Sequence, residues 1–139
     1  MSYRIHIALN VADIARSVDF YSRLLGAEPD KRTNGFAKFE TAEPNLNLAL
    51  SQTNANALPA PKDGALNHLG LQVRDAEDVR AAERKLIAAG LEPVRGFSLS
   101  GEERILLYDP DGNEWEVFYA TTKAAHPNRP EASAGQGEE

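Results

Sequence analysis

Cysteine is absent from all 139 residues, which excludes disulfides, thiolate metal ligands and thiol nucleophiles. Nothing approaches the roughly 20 uninterrupted apolar residues that a membrane span requires. Met1-Ser2-Tyr3-Arg4 leads into a strand pattern rather than the apolar region of a secretory signal, so the expected location is the cytoplasm, with no membrane partner. Basic residues are also in deficit: 15 Lys and Arg stand against 21 Asp and Glu, a formal charge of -6. No basic stripe with interleaved aromatics is present, and affinity for a phosphate backbone rests on such clusters, so nucleic acid is not an expected partner.

The remaining composition, 42% hydrophobic and 26% charged, suits one globular domain with a single core. Residues 3–11 alternate, with Ile5, Ile7 and Leu9 on one face and His6, Ala8 and Asn10 on the other, which predicts a strand. Asp13 can cap a helix carrying Ile14, Val18, Tyr21, Leu24 and Leu25 at helical spacing, with Gly26 as its stop. Strands are expected at 28–32, 36–41 and 46–51. Residues 53–64 lack periodicity and hold two prolines, the composition of a linker. The order then repeats: strand 66–73, helix 76–89, and strands 92–96, 103–108 and 114–119. The reading is therefore one domain over 1–122, with module one at 3–52 and module two at 65–121, followed by a tail, 123–139, whose Pro, Gly, Ser and Glu bias predicts disorder.

The duplication is visible in the letters. His6-Ile-Ala-Leu-Asn-Val11-Ala-Asp13 aligns without a gap with His68-Leu-Gly-Leu-Gln-Val73-Arg-Asp75, and each helix closes on a similar phrase, Gly26-Ala-Glu-Pro29 and Gly90-Leu-Glu-Pro93. A pseudo-twofold arrangement of the halves would bring the two imidazoles near a shared axis. In the last strand Glu114, Glu116 and Phe118 share one face and Trp115, Val117 and Tyr119 the other, so one face offers oxygen donors. Two neutral imidazoles and a carboxylate, with open positions left for water or substrate, form a facial set typical of iron(II) sites; manganese, nickel, cobalt and zinc are alternatives. The carboxylates of Asp109-Pro-Asp-Gly-Asn113 are assigned to the turn between two strands, and His126 to the tail.

The His6-x-Ala-x-Asn-Val start, the Ser17-Val-Asp-Phe-Tyr21 helix, Asn67-His68-Leu-Gly70 and Asp109-Pro-Asp-Gly-Asn-Glu-Trp-Glu116 together resemble the vicinal oxygen chelate superfamily, over residues 4 to 120 or so. That superfamily includes glyoxalase I, bleomycin- and fosfomycin-resistance proteins and extradiol dioxygenases. Within it, Phe20-Tyr-Ser-Arg-Leu-Leu-Gly-Ala-Glu-Pro29, Gly35-Phe-Ala-Lys-Phe39, Leu66-Asn-His-Leu-Gly70 and Glu114-Trp-Glu-Val-Phe118 look most like the cadmium-inducible proteins and organoarsenical carbon-arsenic lyases. The resemblance implies an α+β fold of two tandem βαβββ modules forming a cupped mixed sheet with helices outside. It also implies a divalent metal on His6, His68 and Glu116, with Glu116 preferred over Glu114.

Two departures matter. The lyases resembled here carry a vicinal cysteine pair before the penultimate strand, where this chain reads Arg95-Gly-Phe-Ser-Leu-Ser-Gly-Glu-Glu-Arg104. Glyoxalase I has a fourth ligand, whereas the matching first-module segment, Asn45-Leu-Asn-Leu-Ala-Leu50, has no carboxylate. The expectation is thus a metal-dependent lyase or dioxygenase acting on a small chelating substrate, with Phe39, Phe118 and Trp115 as apolar contacts. Its alternatives are non-catalytic capture of a small molecule or drug, as in bleomycin resistance, glyoxalase-type isomerisation, and a relic site in a regulator. A homodimer is expected, in which swapped modules would take His6 from the other subunit.

Overall fold

A computed structural model describes residues 3–54, 64–121 and 128, so the residues expected as linker lie largely, and the tail almost wholly, outside it, His126 included. In chain order the elements are β1 (Ile5–Val11), α1 (Ile14–Leu25), β2 (Lys31–Arg32), β3 (Phe36–Thr41), β4 (Leu46–Gln52), β5 (Leu69–Gln72), α2 (Ala76–Ala88), β6 (Val94–Phe97), β7 (Glu103–Tyr108) and β8 (Glu114–Phe118). Each half of the sequence repeat folds as strand, helix and three strands.

The repeated aspartates do the same work twice. Asp13 accepts from the Arg16 backbone N–H, and Asp75 from that of Asp78, so each helix starts where the aligned phrase ends. Gly26 closes α1 at φ 66, a left-handed position that its missing Cβ allows. Strand ends differ from the sequence reading. The expected strand at 66–73 narrows to β5 because its parallel ladder with β8 runs only from Leu69 to Gln72, which leaves His68 just ahead of the strand. The strand expected at 28–32 narrows to two residues against β3.

Each module forms its own four-stranded mixed sheet, ordered β1-β4-β3-β2 and β5-β8-β7-β6, with the first strand of each module parallel to its last. Alternation gives each sheet one apolar face. In module one that face carries Phe39, Leu46, Leu48 and Leu50 against α1; in module two it carries Ile105, Leu107, Trp115 and Val117 against α2. Both faces feed a single hydrophobic core, joined where the Tyr21 and Trp115 rings meet edge to face at 5.8 Å. Each fully buried aliphatic or aromatic side chain there contributes roughly 1.5–3 kcal/mol.

The Asp109–Asn113 turn does more than reverse the chain. Asp109, 4% exposed, accepts from Tyr21 Oη, from the Asp111 and Asn113 backbone N–H groups and from Asn113 Nδ2. Asp111 Oδ1 accepts from the Ala12 N–H and from Arg16. The turn therefore fastens module two to the β1–α1 junction of module one. Because both apolar faces are committed to the shared core, the opposite face of each sheet is directed away from it. No helix among the described residues is long and apolar enough to cross a membrane.

Candidate metal centre

The open face of module two carries Gly70 and Gln72 from β5, Glu114, Glu116 and Phe118 from β8, and Arg104, Leu106 and Tyr108 from β7. His68 adjoins it at the head of β5. Its Nε2 lies 3.4 Å from Glu116 Oε1. Its Nδ1 lies 2.6 Å from Asn67 Oδ1, an acceptor, so Nδ1 donates there and in the neutral ring Nε2 presents its lone pair. A neutral imidazole lone pair facing a carboxylate oxygen is repulsive unless a proton or a cation lies between them. The pair therefore fits a divalent ion, and in the absence of sulfur its donors suit borderline to hard metals.

Glu116 is 7% exposed, and its other oxygen, Oε2, lies 3.1 Å from Arg104 Nη1. The carboxylate is thus divided, one oxygen toward the imidazole and one toward the guanidinium. Gly70 makes room for this: a Cβ there would stand 3.0 Å from Phe118 Cε1 and 3.5 Å from Glu116 Cγ. Beside Asn67 an open cavity of about 370 Å³ is lined by Leu66, Tyr108, Asn113 and Glu114 among others, within the size range of small-molecule sites.

His6 sits elsewhere, in β1 on the open face of module one. Its Nδ1 lies 3.0 Å from Asn47 Oδ1 and 3.2 Å from the Asn47 backbone carbonyl. A carbonyl only accepts, so Nδ1 donates and, in the neutral ring, Nε2 is left exposed with its lone pair, the same tautomer as in His68. Among the described residues no three His, Cys, Asp or Glu side chains gather as a metal-holding group. Within one chain the structure therefore brings together His68 and Glu116 and leaves His6 apart.

Of the apolar contacts expected from sequence, Phe118 shares the open face with Glu116. Phe39 (0% exposed) and Trp115 (2%) do not; both point into the core, Phe39 beside Leu48 and Trp115 donating from Nε1 to Tyr21 Oη. Their place as substrate contacts is corrected accordingly. Sequence reading also passed over Arg104, Asn67 and Asn47. Asn47 carried a signal, as a polar residue alternating with leucines opposite His6; Arg104 carried none until the register of β7 on β8 was known.

Comparison with known proteins agrees with this architecture. The profile of the Glyoxalase/Bleomycin resistance protein/Dioxygenase superfamily matches residues 4–117. A trivalent organoarsenical cleaving enzyme of Bacillus sp. (strain MD1) is 34% identical over 134 residues, covering 88% of this chain and 78% of that protein. The cadmium-induced protein CadI of Mycobacterium tuberculosis (strain ATCC 25618 / H37Rv) is 35% identical over 119 residues, 83% of this chain and 74% of CadI. Among solved structures, a point mutant of the fosfomycin resistance protein FosX from Listeria monocytogenes, complexed with Mn(II) and 1S,2S-dihydroxypropylphosphonic acid, superposes with a TM-score of 0.61 at 21% identity over 85% of this chain and 90% of that one. With two βαβββ modules and these relatives, the chain belongs to the glyoxalase/bleomycin resistance protein/dioxygenase superfamily.

Proposed function

We propose that this protein is a metal-dependent enzyme, a lyase or dioxygenase for a small substrate that chelates a divalent ion held by His68 and Glu116 of one chain and His6 of a second copy. The observation that carries this reading is the imidazole at His68, fixed by Asn67 with its Nε2 lone pair aimed at a buried carboxylate. Iron(II) is favoured by the two-imidazole, one-carboxylate set, and the manganese in the FosX complex supports a divalent ion in this fold. The ion supplies Lewis-acid polarisation of a chelated oxygen.

The chain's own residues do the rest. Asn67 and Asn47 fix the ring tautomers, Phe118 offers an apolar surface, and Tyr108 and Glu114 line the adjoining cavity. The names of the arsenical-cleaving relatives support a lyase, but without cysteine this chain cannot hold arsenic through thiolates.

A second copy is favoured because the two histidine-bearing faces are directed away from one core, and because β1 is a sheet edge where Ile5, and Tyr3 just ahead of the strand, are 64% and 81% exposed. Anaerobic titration with iron(II), or with manganese(II) as its stable substitute, tests both parts. Wild-type protein is expected to bind one ion per chain, and the H6A and H68A variants none. Mixing those two variants should restore about a quarter of the wild-type stoichiometry, because only mixed dimers rebuild a site, and only one of their two. If the mixture stays empty, the shared site is refuted; if the wild type binds no ion, the metal reading goes with it.

A further inference from the structure

Building on the metal reading above, we propose that Arg104 is a positioning residue, whose guanidinium holds one oxygen of Glu116 so that the other stays turned toward His68. The register explains how it reaches. Glu116 pairs with Leu106, and Arg104 stands opposite Phe118, one same-face position further along β7, so its side chain crosses diagonally to the carboxylate. Nη1 arrives 3.1 Å from Oε2 while Oε1 lies 3.4 Å from His68 Nε2, and these two contacts divide the carboxylate between them.

Other carboxylates near Arg104 are already committed. Glu103, on the other face, is bound by Arg80 at 3.2 Å through Nε, and Glu102 accepts from Ser98, Ser100 and Thr121. Across the ladder Gly96 leaves bare backbone beside the guanidinium; a Cβ there would lie 3.7 Å from Arg104 Nε. Nε itself is buried with no hydrogen-bond partner, so Nη1 makes the contact that matters to the centre. A carboxylate only 7% exposed requires such a partner when no ion is bound, and removing it leaves Glu116 uncompensated and free to turn before an ion arrives.

Two effects oppose each other when an ion binds. The guanidinium charge repels an incoming cation, while its hydrogen bond presets the ligand. Positioning dominates, because Arg104 meets the oxygen turned away from His68 and so stands behind the carboxylate rather than between the donors. Loss of comparable supporting contacts costs about 10–100-fold in metal affinity.

The test is a cobalt(II) titration of wild-type, R104Q and R104K protein followed by visible absorption, with far-UV circular dichroism as the fold control. R104Q is expected to bind about 10–100-fold more weakly and with an altered d–d spectrum while remaining folded, and R104K to recover part of both. Wild-type affinity and spectrum in R104Q overturn the proposal. If R104Q does not fold, R104M, which keeps the aliphatic stem and removes every donor, decides: weaker binding with a shifted spectrum supports it, and behaviour matching the wild type overturns it. Failure of the wild type itself to bind cobalt is a different result, which removes the metal reading and this inference together.

Discussion

Tyr21 donates its hydroxyl proton to Asp109 Oδ2 at 2.5 Å, joining the middle of α1 to a turn 88 residues later. The Tyr21 hydroxyl oxygen in turn accepts from Trp115 Nε1 at 3.0 Å, so one phenol serves two buried partners in the other module.

Replacing Tyr21 with Phe keeps the ring and removes both bonds. Asp109 and Trp115 would then each lose a partner where water does not reach, and the expected destabilisation is about 1–3 kcal/mol. Urea denaturation of Y21F should show a lower midpoint at unchanged slope. An unchanged midpoint would mean that the Tyr21 hydroxyl adds nothing to the hold between the modules.

Alkaline pH provides a second test of the same contact. Burial first, and then the charge of Asp109, raise the Tyr21 pKa far above its ordinary value of 10.0, so the folded protein keeps this phenol neutral while the unfolded chain ionises it. The stabilisation is complete below pH 10 and falls as pH rises past it, by about 1.4 kcal/mol per unit from this group. Unfolding free energies of wild type and Y21F between about pH 9 and 11.5 should converge. Parallel curves would contradict the assignment.

At the β6–β7 loop the sign is reversed. The hydroxyls of Ser100, Ser98 and Thr121 hold the Glu102 carboxyl down at about 2, against an ordinary value of 4.5. The contribution to stability is therefore present above 4.5 and is lost as pH falls toward 2. Carboxyl carbon NMR should place the Glu102 midpoint near 2 and move it upward in S100A; a midpoint near 4.5 in wild type would show that the hydroxyls do not engage it.

Gly70 leaves little room for a side chain. An added methyl group would crowd the Phe118 ring at 3.0 Å while only touching Glu116 at 3.5 Å, and G70A is expected to lose about 1–3 kcal/mol by overpacking and, through the displaced ring, to bind cobalt(II) more weakly. A variant as stable as wild type with undiminished binding would show that Phe118 yields without disturbing the carboxylate.

Much of the architecture was legible because the chain states it twice: the matched His, Val and Asp phrases located both strand–helix units, and alternation correctly set Glu116 opposite Trp115. That same alternation argued against Trp115 as a ligand contact, since a residue cannot share the carboxylate's environment from the reverse side of the strand. Phe39 was illegible for another reason. Phe36 and Phe39 lie on opposite faces of β3, and only the pairing of Phe39 with Leu48 reveals which face the core claims. Nor does periodicity say how two modules dock; contacts between Tyr21, Asp109 and Trp115 decide that, and with it the separation of His6 from His68.

The two histidines are steered by asparagines from unrelated places, and their robustness differs as a result. Asn67 is the neighbour of His68 along the backbone and travels with it through any shift of β5. Asn47 meets His6 only because Ile5↔Leu46 and Ile7↔Leu48 stay in step; sliding β1 by a single residue along β4 would set a leucine opposite the ring and turn the imidazole loose. The repeat keeps the histidine but not its tether, so mutations that loosen strand alignment in the first half should free the His6 ring while sparing its twin.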